Sequence, residues 1–230
     1  MTATLPTEMQ AVVVNGPEDY VLQTRPVPQI GESDLLIKVE AVGVCASDLK
    51  CYHGAPKFWG DENRPQWAES DRIPGHEITG TIVAGSDETL AAHTEGKPYE
   101  LAIGDRIVIE QIAPCGKCRY CIRGEYWMCG PHDMFGFKKW DGAMAEYMLV
   151  PLLARVHKIS KDVPAQHAAF AEPLSCALHA VERGNIKFED TVVIAGAGPI
   201  GLSALIGVRQ KNPLKVIALD MSDDKLALAK

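Results

Sequence analysis

Cys115, Cys118, Cys121 and Cys129 follow the pattern Cys-x-x-Cys-x-x-Cys-x7-Cys, a spacing that lets four sulfurs converge on one metal ion. Zn2+ takes four thiolates tetrahedrally, and two-residue gaps let a tight loop wrap the ion with no coordination position left open. A closed site of that kind builds structure and does no chemistry. The rival reading is two disulfides. Against it stand the clustered spacing, the seven cysteines of the chain, and a Met1–Gln10 stretch with neither a basic start nor an apolar core of the secretory type.

Two further donors lie outside that lobe. Cys45 offers a thiolate and His76 an imidazole, and with a third ligand and a water they would make an open, catalytic zinc site. Glu172, in Phe170-Ala171-Glu172-Pro173-Leu174-Ser175, is the candidate third ligand. Taken singly, each has a plainer role: a free cysteine is most often a small buried hydrophobe, and a lone histidine is satisfied by a hydrogen bond.

A third constellation closes the chain. The apolar run Thr191–Ala195 leads into Gly196-Ala197-Gly198-Pro199-Ile200-Gly201, then an apolar helical segment, then a second strand, Val216–Leu219, ending on Asp220. Strand, Gly-x-Gly-x-x-Gly turn, helix and an acid 24 residues past Gly196 together predict a dinucleotide-binding Rossmann unit. The glycines make the tight turn and admit a pyrophosphate to the backbone, and the helix N-terminus supplies unpaired N–H groups. Asp220 suits ribose hydroxyls and disfavours a 2′-phosphate, and Met221 offers no cation to bind one, so NAD is favoured over NADP.

The elements that must position these groups change character along the chain. Short strands at Ala11–Val14, Tyr20–Thr24, Leu35–Val39 and Ile78–Val83, and a strand signal over Gly104–Glu110, predict an all-β first half. Residues 55–73 read as a long irregular surface loop and Ser86–Tyr99 as a polar segment, and Asp141–Pro151 reads as one strand. From Pro164 the apolar spacing turns helical, with Ala165, Ala168, Ala169, Leu174, Leu178 and Val181 on one face. The switch places a domain boundary near residue 160. With 47% apolar and 23% charged residues the composition is that of an ordinary globular protein. A net charge of −7 argues against nucleic-acid or anionic-membrane partners. The uncharged run Thr191–Val208 is too rich in glycine for a membrane span and belongs to the dinucleotide turn. Thiols kept as ligands predict a reducing cytoplasm.

Cys45-Ala46-Ser47-Asp48, Gly75-His76-Glu77-x-x-Gly80, the four-cysteine lobe, Gly104-Asp105-Arg106, the Asp141–Pro151 segment and Ala195–Gly201 occur in the order found in the zinc-dependent medium-chain dehydrogenase/reductase family, which this sequence resembles over nearly its whole length. The resemblance implies a GroES-like β-barrel catalytic domain over 1–160, with its structural zinc lobe at about 112–132, and a Rossmann domain begun at 161–230 and left incomplete. It implies two zinc ions per chain, NAD, and a homodimer or homotetramer. Glu172-Pro173-Leu174-Ser175 looks like the sorbitol and polyol dehydrogenase branch, where Glu takes the third-ligand position, with Cys176 the competing ligand. The reaction implied is hydride transfer from a secondary hydroxyl of a small polyol to NAD, giving the ketose, with zinc lowering the hydroxyl pKa.

The same resemblance assigns Ser47 to pass the hydroxyl proton outward, Asp48 to orient His76, and Glu77 to the neighbourhood of the zinc; Ser47 and Asp48 also suit helix capping. His53 is a candidate for lining the substrate cleft, and Trp59 and Trp67 for closing it or packing the loop. His93, His132, His157, His167 and His179 read as surface or packing residues. Three rivals stand beside the polyol reading: a threonine or other amino-alcohol substrate, a family member without activity, and a non-catalytic zinc module for a protein or nucleic-acid partner. Residues 60–70 and 87–99 look like insertions that reshape the cleft, and the segment after Gly80 looks one residue short. A Rossmann sheet needs more βα units than fit before Lys230, so a longer parent enzyme is expected.

Overall fold

The computed structural model describes residues 5–230. The chain forms two compact units, the first ending at Ala169 and the second running from Phe170 to Lys230.

The first unit opens with an antiparallel hairpin, β1 (Glu8–Gly16) against β2 (Asp19–Pro26). Met9, Ala11 and Val13 alternate with exposed Glu8 and Gln10, the period-2 pattern of a strand with one buried face. Then come β3 (Asp34–Gly43), α1 (Ala46–Tyr52), α2 (Pro56–Trp59), β4 (Glu77–Ala84), α3 (Asp87–Thr94) and β5 (Arg106–Ile109). β6 (Ile112–Ala113), α4 (Arg119–Ile122), β7 (Asp133–Met134), β8 (Tyr147–Pro151), β9 (Val156–Lys158) and α5 (Ala165–Ala169) complete the unit. Five of these strands make one antiparallel sheet in the order β8-β3-β4-β5-β9. Leu35, Ile37, Ile78, Ile82, Ile107, Met148 and Val150 fill its core. The hairpin is stitched on by single bridges, Ala11 to Ala145 and Val14 to Arg72.

Four local expectations are corrected. The 55–73 stretch is no loose surface loop: α2 forms within it, Phe58 and Ala68 are buried with Cys51 and Phe137, and Trp59 and Trp67 pack against them. The polar segment after Ser86 is a helix, α3, because the Ser86 side chain accepts the Thr89 N–H at 3.1 Å and Asp87 and Glu88 occupy the first turn. The strand over Asp141–Pro151 is only β8. Its first half instead crosses the Pro74-Gly75 backbone, with Ala143 N–H donating to Gly75 O at 3.0 Å and Met144 N–H to Pro74 O at 2.9 Å. The predicted helical face is broken at Phe170, where the two units divide, and α5 packs on β3 and β4 of the first.

The second unit holds α6 (Ala171–Arg183), β10 (Thr191–Ala195), α7 (Pro199–Lys211), β11 (Lys215–Leu219) and α8 (Asp223–Leu228). β10 and β11 pair in parallel, Thr191 with Lys215 through Ala195 with Leu219, joined by α7, which packs on α6. This is a βαβ unit, the opening of a Rossmann sheet. α7 packs on β10, while Val193 and Leu219 are 56% and 52% exposed. Among the described residues no helix is long and apolar enough to cross a membrane.

Candidate metal centres and dinucleotide turn

The four lobe cysteines are free, and their sulfurs lie within 4.8 Å of one another. Two chain turns, α4 and a 3-10 turn at Tyr126–Met128, deliver them. Cys118 Sγ is 3.5 Å and Cys115 Sγ 4.0 Å from Cys121 Sγ. Four sulfurs placed tetrahedrally about 2.3 Å from one zinc are about 3.8 Å apart, so the observed separations fit a shared ion; a disulfide needs about 2.05 Å. Backbone N–H groups of the loop favour the thiolates. Lys117 N–H, and then Cys118 N–H, hold Cys115 down to about 6, and Cys121 N–H lowers Cys118, while burial pushes Cys129 up to about 12.

The second cluster is built by β3, β4 and the start of α1. Donor atoms of Cys45, His76 and Glu77 lie within 4.8 Å of one another. Cys45 precedes α1 in extended backbone, and Asp48, three residues on, accepts the Cys45 N–H through Oδ2 at 2.8 Å. That is the returning half of a capping box. The other oxygen, Oδ1, faces His76 Nδ1 at 3.5 Å, and neither atom has another hydrogen-bond partner among the described residues. The Asp48 carboxylate therefore stands between the Cys45 N–H and the His76 ring. His76 is further held by Phe137, whose ring centroid is 5.4 Å away, a contact that no local sequence signal announces. On its far side Nε2 lies 3.5 Å from Ser47 Oγ.

The electrostatics of this cluster favour a cation. Burial alone would lower the His76 pKa, yet hydrogen bonds to Asp48 and Cys45, with their charges, outweigh it and raise the imidazole to about 10. Cys45 is lowered by its hydrogen bond to His76, while burial raises Glu77. A cysteine thiol and two buried carboxyl groups around one imidazole, whose Nδ1 faces Asp48 Oδ1, suit a divalent ion.

Glu172 is carried by the second unit, in the first turn of α6, where Oε1 accepts the Cys176 thiol at 3.4 Å; the two rival third ligands are thus one helical turn apart. His53 is exposed at the end of α1, with Nδ1 3.7 Å from Glu18 Oε1. Trp59 donates Nε1–H to Cys51 O at 2.7 Å, and Trp67 packs at a tilt against Phe58 and Phe137, so both tryptophans pack the loop. Among the histidines read as ordinary, His93 is buried on α3 and His157 pairs with Glu110 at 2.9 Å.

In the second unit Gly196 has φ +104°, and a Cβ on Gly201 would meet Gly196 O at 1.8 Å, so the turn closes only with glycine at both places. Gly198 precedes α7, and Pro199 and Ile200 are its first residues. Asp220, at the end of β11, accepts Ala197 N–H at 2.8 Å through Oδ2 and Ser222 N–H at 2.9 Å through Oδ1. Those bonds, Ala197's first, hold its carboxyl below the usual range. The acid is tied to the glycine turn.

A model of the alcohol dehydrogenase GroES-like domain matches residues 31–161. The chain belongs to that family. It is 61% identical, over all 230 residues, to erythritol/L-threitol dehydrogenase of Mycolicibacterium smegmatis, of which it covers 62%. Sorbitol dehydrogenase of Bacillus subtilis is 31% identical over 230 residues, with 61% of that protein covered. Among solved structures, a protein classed as a zinc-binding dehydrogenase from Sinorhizobium meliloti 1021, bound to NADP, superposes with a TM-score of 0.83 at 30% identity, covering 97% of this chain and 59% of the other. The chain therefore spans about 60% of the length of these relatives, and its Rossmann part is incomplete.

Proposed function

We propose that the protein is a zinc-dependent oxidoreductase that takes a hydride from a secondary hydroxyl of a small polyol, a tetritol first, and passes it to NAD. The observation that carries the reading is the convergence of Cys45, His76 and Glu77 donors beside the Ser47 hydroxyl. The 61% identity to an erythritol/L-threitol dehydrogenase supports the tetritol. Cys45, His76 and Glu77 hold the ion within the first unit, and Glu172 is the alternative third donor. A zinc ion there supplies Lewis-acid polarisation of a bound hydroxyl, and NAD supplies the hydride acceptor.

The chain's own groups do the rest. Asp48 keeps the proton of His76 on Nδ1, leaving Nε2 as the donor nitrogen. Ser47, half-buried in the first turn of α1, accepts the substrate hydroxyl proton and passes it toward solvent. Asp220 positions the glycine turn for the pyrophosphate and meets the ribose. The lobe cysteines hold a second, structural zinc. The parent protein is a longer chain assembled as a homodimer or homotetramer in a reducing cytoplasm.

The test is the full-length protein with NAD, offered erythritol, L-threitol, xylitol, sorbitol and threonine. Cofactor reduction strongest with a tetritol is expected, and reduction with threonine alone overturns the substrate class. Chelator-resistant zinc in Glu77→Gln and Glu172→Gln separates the third donors: loss in the first variant supports Glu77, and loss only in the second supports Glu172.

A further inference from the structure

Gly43, the last residue of β3, stands directly across from Glu77, the first residue of β4. A Cβ built on Gly43 would lie 1.9 Å from Glu77 Oε2 and 2.9 Å from both Glu77 Cβ and Cδ. The backbone does not explain the glycine, because Gly43 is not among the positive-φ residues and any L-residue could adopt its conformation. Space explains it. The Glu77 side chain is folded back across the bare α-carbon of its cross-strand partner, which leaves the residue only 9% exposed and brings its carboxylate within 4.8 Å of the Cys45 and His76 donors. Directly opposed residues on one face of an antiparallel pair have Cβ atoms about 4.5–5.5 Å apart and ordinarily share the space between them. Here one partner has surrendered all of it.

We infer that Gly43 is a positioning residue for the metal cluster, whose missing side chain is the seat of the Glu77 carboxylate. The inference rests on the proposed metal site and assigns it a residue that touches neither metal nor substrate. Adding one methyl at position 43 displaces Glu77 from the donor set while Cys45 and His76 keep their Asp48 contacts.

The experiment is Co2+ titration of the zinc-stripped full-length protein, read by the visible bands of the cobalt–thiolate site, in the native protein, Gly43→Ala, Glu77→Ala and the double variant. Expected are a fall in affinity for the second ion of about tenfold or more with altered bands in each single variant, and less than twofold further loss when Gly43→Ala is added to Glu77→Ala. If Gly43→Ala does not fold but the double variant does, relief of the clash supports the inference equally. Native affinity and bands in Gly43→Ala overturn it, as does the same loss, or loss of the fold, with and without Glu77. A native protein that takes up only the lobe ion instead strikes down the metal-site reading itself, and the inference with it.

Discussion

The Asp48 carboxylate faces the Nδ1 atom of His76 at 3.5 Å, both side chains almost wholly buried at 5% and 2% exposure. Because the other Asp48 oxygen holds the Cys45 N–H, one side chain aligns two of the three clustered donors. Removing it frees both. Asp48→Ala is expected to weaken binding of the second zinc by about 10–100-fold, and Asp48→Asn, which keeps an acceptor, by less. Chelator competition that follows zinc per chain checks this. Unchanged retention in Asp48→Ala would reduce Asp48 to a helix cap.

Cys118 tests the lobe. With the proposed structural zinc in place, losing one of four thiolates opens a closed site that would tie α4 and the 3-10 turn together. Cys118→Ala is expected to lose one zinc per chain and to lower the unfolding midpoint by about 10 °C, on the scale at which each kcal/mol moves a protein of this size by about 2–4 °C. Activity per folded molecule measured well below the new midpoint should stay near native. Full stability without the lobe ion would contradict a structural role.

Asp220 tests cofactor choice. Its carboxylate is held low by the N–H groups of Ala197 and Ser222, and in the proposed NAD reading it repels a 2′-phosphate. Asp220→Ser in the full-length protein is expected to raise the KM for NAD by about tenfold, one lost charged hydrogen bond being worth about 1.5–3 kcal/mol, and to narrow the preference over NADP. A native protein that favours NADP, the cofactor bound to the Sinorhizobium relative, would refute the assignment.

His93 predicts an acid sensitivity. It is 5% exposed on α3, and burial first, then repulsion from Lys97, depress its pKa from 6.5 to about 4. The folded state thus resists a proton that the unfolded chain accepts. Above pH 6.5 the group is neutral in both states and contributes no pH dependence. Between pH 6.5 and about 4 the unfolded chain binds more protons, so stability falls as pH falls, by on the order of 3 kcal/mol in total. Urea unfolding of the native protein and His93→Gln at pH 7.5 and 4.5 should show the variant losing less. Parallel losses would place the acid sensitivity elsewhere.

Much of this was legible along the chain because its signals are local. The cysteine spacing, the glycine turn and the alternating strands act within a few residues, where backbone geometry and ligand reach decide the outcome, so the lobe, the βαβ opening and the strand order of types could be read before any folding. Ser86 capping α3 was equally local, but a helix with little apolar periodicity hides in a polar segment, and its buried Leu90 and His93 announce themselves only against the sheet. The donor set around His76 was partly legible: Cys45, His76 and Glu77 each carry a suitable atom, and the Glu-Pro-Leu segment adds Glu172 as the expected third ligand. That Glu77 stands near the Cys45 sulfur depends on β3 and β4 lying in register, a pairing across more than thirty positions that no window contains. By itself the sequence determined the inventory of thiolates, imidazole, carboxylates and glycines and the elements that carry them. Only the tertiary structure decided that Gly43 yields its space to Glu77 and that Asp48 faces His76, because cross-strand register and side-chain packing are set by the whole core at once.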